Sequence, residues 1–152
     1  MKGSNLLFLV SWVILLIVSA MIVLVSAQSL LVAYSGQPDV ITRDYTLTQV
    51  AEQGGDQAVK AIRGRRATAA TWALGFGLLA IAVTFIPYRR GEQWAWWAVL
   101  VAVGVSQVLS LVRAIALATT VGTGAAGILL ALVLLALMAG VPRMFRSSGP
   151  EL

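Results

Sequence analysis

Four long runs of apolar residues constrain this chain more than any other feature. They cover residues 6–27, 67–86, 94–118 and 121–141. A helix needs about 20 apolar residues to cross a hydrocarbon core of about 30 Å. Backbone N–H and C=O groups in lipid must be satisfied within the protein, so only helices and closed barrels can span a membrane. The runs are continuous and lack the period-two alternation of barrel strands. They therefore predict four α-helices. Composition agrees: 59% of the residues are apolar and 11% charged, with a mean hydropathy of +0.89. A soluble domain has about 45–50% apolar and about 25% charged residues.

The first run has a small-residue stretch, Val25-Ser26-Ala27, of the kind that follows a signal peptide. Its apolar core exceeds the roughly 7–15 residues of a signal sequence, so a retained helix is expected. Four crossings put both termini on one side. Lys2, Arg89, Arg90, Arg143 and Arg146 lie on that side, against Arg43, Lys60, Arg63, Arg65 and Arg66 on the other. The count alone is balanced. The very short basic turn after residue 86 tips the positive-inside rule toward cytoplasmic termini.

The polar loop, 28–66, is the only substantial aqueous segment. Tyr34-Ser35-Gly36-Gln37-Pro38-Asp39 is a turn signal. Thr46-Leu47-Thr48-Gln49 fits a capping box, predicting a short helix with Leu47, Val50 and Ala51 on one face and an end at Gly54-Gly55. Asp56 then caps a second helix. It is expected to run through the basic residues into the second crossing, for about 45 Å as far as Ile86 at 1.5 Å per residue.

Lys60, Arg63, Arg65 and Arg66 have two readings. One is an interfacial anchor whose long side chains reach toward phosphates. The other is a contact site for anionic lipid or an acidic partner. Nucleic acid is not expected, because the net charge of +5 is divided between the two membrane faces. Trp94, Trp96 and Trp97 open the third crossing and read as anchors at headgroup level. Tyr88 is expected to join that belt, and Trp72 to play the same part on the opposite face. Small residues four apart permit close helix packing: Ala69, Ala73 and Gly77; Gly122 and Ala126; Gly127 and Ala131. Packing within the bundle is the simpler use for them, and a partner seam is the alternative.

The polar cluster within a crossing is Ser106, Gln107, Ser110 and Arg113. The serines and Arg113 follow i, i+4, i+7 spacing and share one helix face, with Gln107 beside it. Arg113 lies near its helix end and can snorkel to the interface. It can also pair with Asp39, Asp44, Glu52 or Asp56 of the first loop, or hold an anion. Catalysis and cofactor chemistry have little to work with. The chain has no His and no Cys, and no crossing contains Asp, Glu or Lys. Arg does not titrate in proteins, so proton pumping lacks the intramembrane titratable group it usually uses. No catalytic, cofactor-binding or metal-binding set is assigned, and an enzyme is not expected.

The segment Pro87-Tyr88-Arg89-Arg90-Gly91-Glu92-Gln93-Trp94-Ala95-Trp96-Trp97-Ala98 resembles one found in an uncharacterised group of bacterial four-helix integral membrane proteins. There a Pro-x-Arg-Arg-Gly-Glu-x-Trp-x-Trp-Trp motif joins helices two and three. The resemblance covers about twelve residues by motif and most of the chain in layout. It implies a bacterial inner-membrane location and four helices, and it carries no activity.

The expected fold is therefore all-α: an integral membrane four-helix bundle with a long, partly helical first loop. The expected function is a non-catalytic structural or accessory membrane protein that associates with lipid and with other membrane subunits or itself. The alternative is a small transporter or channel component using the polar face of the third helix.

Overall fold

The computed structural model describes residues 2–35, 40–42, 45–117 and 122–145. Among these the chain is all-α apart from one short ribbon, and four helices are long and apolar enough to cross a membrane. These candidate crossings are Asn5–Ser35, Leu47–Tyr88, Gln93–Ala116 and Thr123–Met144.

Helix α1 (Lys2–Ser35) continues well past its most apolar stretch. Phe8, Ser11, Leu15, Val18, Ser19, Ser26 and Ala33 are buried along it, whereas Leu6, Leu9, Val13, Ile17, Leu24 and Leu31 are exposed. A helix apolar all round suits a membrane span. The buried stripe follows steps of three and four, so it marks the bundle side. Ser19 Oγ donates to the Leu15 carbonyl at 2.8 Å, which satisfies the hydroxyl inside its own helix.

A short antiparallel ribbon follows, β1 (Val40–Thr42) with β2 (Tyr45–Thr46). Gly36, Gln37, Pro38, Asp39, Arg43 and Asp44 of the first loop lie outside the described residues. Helix α2 (Leu47–Val83) then begins at the expected capping box. The Gln49 amide donates to Thr46 Oγ1 at 3.4 Å, and the Thr46 amide donates to Gln49 Oε1 at 2.8 Å. Leu47 is buried beneath this cap. The expected break appears as a kink: Gly55 has φ 65°, a conformation L side chains rarely adopt. The helix then continues without interruption from Asp56 through the basic run into the second apolar run. Replacing Thr46 with Ala should cost about 1 kcal/mol locally. Hydrogen exchange should then speed up in residues 47–54 and stay unchanged beyond Gly55.

The second crossing ends in a π-helical turn, Thr84–Tyr88, that contains Pro87. Pro has no N–H, and its ring crowds the carbonyl one turn back, so the helix widens there. The chain reverses at Gly91, whose φ of 83° lets its amide donate to the Tyr88 carbonyl at 2.9 Å. The third crossing comprises α3 (Gln93–Val99), a π-helical turn (Leu100–Gly104) and α4 (Val105–Ala116). Helix α5 (Thr123–Met144) is the fourth. The expected end of the third crossing at residue 118 and the expected start of the fourth at 121 lie outside the described residues.

Helix α1 packs along both α2 and α5, and the third crossing lies against α5. Its contacts with α2 are concentrated in α3, beside the turn that joins them. The buried core gathers Leu15, Val18, Tyr88, Val99, Val103, Val133, Ala136 and Leu137. In a bilayer, lipid tails would be as apolar as these side chains, and burial would add little hydrophobic drive. Close packing and hydrogen bonds between helices must hold the bundle together.

Candidate functional site

The expected polar face of the third crossing is present on α4, but its members differ in what they can do. Ser106 Oγ donates to the Val103 carbonyl at 2.8 Å, and Ser110 Oγ donates to the Ser106 carbonyl at 2.9 Å. Both hydroxyl donors are used within their own helix. Gln107 is half-buried and makes no hydrogen bond to a described residue. It sits about 14 Å along the helix from Ala116, well inside the apolar span. Arg113 is exposed near the C-terminus of α4, where its guanidinium lies beside Gly122 at the start of α5. Glu52 and Asp56 are exposed on α2 and do not pair with it. The other two acids considered for that role, Asp39 and Asp44, lie outside the described residues.

The basic run on α2 divides by helix face. Arg66 Nε donates to Ser29 Oγ of α1 at 3.0 Å. Arg63 is half-buried, while Lys60 and Arg65 are exposed. Arg66 thus ties α1 to α2, and Lys60 and Arg65 are the two that face outward.

The three tryptophans also separate. Trp94 and Trp97 are exposed, as interfacial anchors should be. Trp94 Nε1 donates to Glu92 Oε2 at 2.6 Å. Trp96 is half-buried and donates through Nε1 to the Leu137 carbonyl of α5 at 2.9 Å. Its ring meets Trp97 and Phe145 edge-on, at 4.8 and 5.4 Å between centroids. Trp96 is therefore a link between helices as well as a member of the aromatic belt.

Tyr88 corrects the expectation of an interfacial ring, because it is fully buried. Its hydroxyl shares a 2.5 Å hydrogen bond with Ser11 of α1. Its ring stacks on Phe8 at 5.7 Å with a 3° interplanar angle. One residue along α1, Trp12 Nε1 donates to the Thr84 carbonyl at 3.1 Å. Gly140 of α5 faces the pair so closely that a Cβ there would collide with Tyr88 Oη. The π-helical turn, α1 and α5 thus meet at one polar contact. Comparison with protein-family models, curated proteins and solved structures finds no match. The site must be read from its own geometry.

Around this contact lies a second group that sequence reasoning did not assemble. Arg143 of α5 is 4.2 Å from the Phe8 ring centroid. Arg89 is 5.3 Å from the Trp12 ring and 5.7 Å from that of Phe85. On the other side, Gln93 Nε2 donates at 3.0 Å to the Met144 carbonyl, one of the open groups at the end of α5. Arg89 and Arg143 were legible only as charges on one membrane face. Their partners on α1 come from more than seventy positions away in sequence, and no local spacing reveals such pairs.

Proposed function

We propose that this protein is a non-catalytic accessory protein of a bacterial inner membrane, associating laterally with other membrane subunits or with itself. Gln107 carries the reading. An amide left without a partner in an apolar medium is costly. Hydrogen bonds between membrane helices are worth about 1–2 kcal/mol in model peptides. Gln107 has both a donor and an acceptor, and no described residue meets either. The helix that bears it is peripheral, packing mainly on α5. Val105, Val108, Leu109, Val112 and Ile115 of the same helix are exposed. A second transmembrane helix laid on α4 would cover that surface, and a polar group it brings to the half-buried edge where Gln107 lies, turned toward Val103 and Ala114, would satisfy the amide.

The residue inventory supports a non-catalytic role, since His and Cys are absent and the four apolar runs contain no acid. The short turn bearing Arg89 and Arg90 supports a cytoplasmic placement of both termini. Lipid is the second partner, through the outward-facing Lys60 and Arg65. A transporter using the α4 face is less well supported, because Ser106 and Ser110 have already committed their donors to their own helix.

Native mass spectrometry after purification in mild detergent tests the proposal. The expected result is a complex of fixed stoichiometry that weakens about tenfold in Gln107→Leu, as the loss of one such hydrogen bond predicts. A chain that purifies alone, or a complex indifferent to Gln107→Leu, would count against it.

A further inference from the structure

At the membrane face where α1 begins and α5 ends, Asn5, Phe8, Leu9, Trp12, Arg89 and Arg143 line a cleft of about 430 Å³. We propose that this cleft binds the phosphate of an anionic phospholipid. Two guanidinium groups from different helices converge on it, and each is steadied over aromatic rings. A cation–π contact engages the charge through the ring face and leaves N–H donors for an acceptor. Neither guanidinium has a hydrogen bond or ion pair with a described residue. The nearest acid in sequence, Glu92, accepts from Trp94. Paired N–H donors match the oxygens of a phosphate, which arginine can engage in bidentate fashion. Asn5 adds an amide at the rim.

The surroundings favour a lipid over a free phosphate. Leu6, Leu9 and Val13 of α1 are exposed and run from the cleft along the membrane side of the helix. They offer an apolar track for an acyl chain. Arg89 also borders a neighbouring cleft with Arg90, Phe85 and Ile86, so further positive charge lies at the same level. This site is separate from Lys60 and Arg65, which sit toward the other membrane face, and it does not depend on Gln107.

The test uses the full chain in bilayer nanodiscs of phosphatidylcholine with and without phosphatidylglycerol. Quenching of tryptophan fluorescence by brominated phosphatidylglycerol reports lipid near Trp12, with Trp12→Phe giving the background from the other four tryptophans. Native mass spectrometry counts the lipids retained. The double variant Arg89→Gln/Arg143→Gln should bind phosphatidylglycerol about tenfold or more weakly, since each basic residue near a headgroup contributes measurably. Lys60→Gln/Arg65→Gln should leave that quenching unchanged. Arg143→Lys, which keeps the charge but loses the planar fork, should fall in between and guards against loss through misfolding. Unchanged quenching in a folded Arg89→Gln/Arg143→Gln protein would overturn the proposal. Inorganic phosphate displacing phosphatidylglycerol at equal concentration would overturn the assignment to lipid.

Discussion

Replacing Gly140 with Ala should destabilise the bundle by about 1–3 kcal/mol, the usual cost of forcing one extra carbon into a packed interior. The new Cβ would collide with Tyr88 Oη and lie 3.0 Å from Ser11 Oγ. Neither group can easily retreat. Tyr88 is fully buried, stacked on Phe8 and bonded to Ser11. Moving it would also break that hydrogen bond, worth about 1 kcal/mol net. Tyr88→Phe should relieve the clash, because the atom in the way is the hydroxyl. On its own Tyr88→Phe should cost about 1 kcal/mol, yet it should partly rescue Gly140→Ala. Thermal and SDS unfolding of the purified variants provide the check. Strict additivity of the two changes would show that Gly140 and Tyr88 do not meet.

The same contact explains why one end of the molecule is built differently from the other. Phe8 stacks on Tyr88 and also lies under Arg143; Trp12 bonds the π-helical turn and also lies under Arg89. The rings that close the bundle are those that position the two guanidinium groups. A variant that moves Tyr88 should therefore disturb the lipid cleft through Phe8. The reverse need not hold, because removing an exposed guanidinium leaves the Ser11–Tyr88 bond in place.

Local chemistry was legible in the sequence wherever one segment determines its own geometry. The four apolar runs became four helices, the form in which a continuous apolar segment long enough to span a bilayer satisfies its own backbone. Thr46 and Gln49 formed the expected box, and Gly54-Gly55 marked the kink, since both depend on neighbours a few residues away. Trp94 and Trp97 faced outward as expected. Features that depend on how deeply one helix sits against another were not legible. Tyr88, Arg89 and Arg90 are consecutive, yet the first is buried and the other two exposed. A π-helical turn and the register of α5 decide that difference. A signal for Gly140 did exist, because Ala136 and Gly140 are small residues four apart and both are buried. The spacing shows that a close approach is allowed there, but it does not name Tyr88 as the group that approaches. Arg113 shows the same limit. Its spacing with Ser110 placed it on the polar face, but that face is shared by serines already bonded to their own helix.

The second large effect separates two neighbouring glycines, of which only Gly77 belongs to the four-residue spacing with Ala69 and Ala73. Gly75 and Gly77 are two residues apart in α2, in a stretch rich in small side chains. A Cβ at Gly77 would lie 2.8 Å from Val23 Cγ2, 3.1 Å from Ile22 Cγ2 and 3.2 Å from the Val23 backbone nitrogen. A Cβ at Gly75 would meet nothing within 4 Å. The Val23 nitrogen belongs to a hydrogen-bonded helix and cannot step aside, so Gly77→Leu must push α1 and α2 apart. In a membrane the separated surfaces gain nothing from water exclusion and lose their dispersion contacts. The expected cost is about 3 kcal/mol, at the upper end of overpacking effects. Gly75→Leu should be neutral or slightly stabilising, since leucine favours the helix over glycine by up to about 1 kcal/mol. Side-by-side unfolding in mixed micelles would separate the two. Equal destabilisation would mean that α2 presents a different face to α1, and equal neutrality would mean that the α1–α2 seam is not closely packed. Because α1 also carries Ser11 and Phe8, Gly77→Leu should loosen the distant Tyr88 contact only if α1 moves as a rigid rod. Protection of the amides around residue 88 from exchange reports that directly.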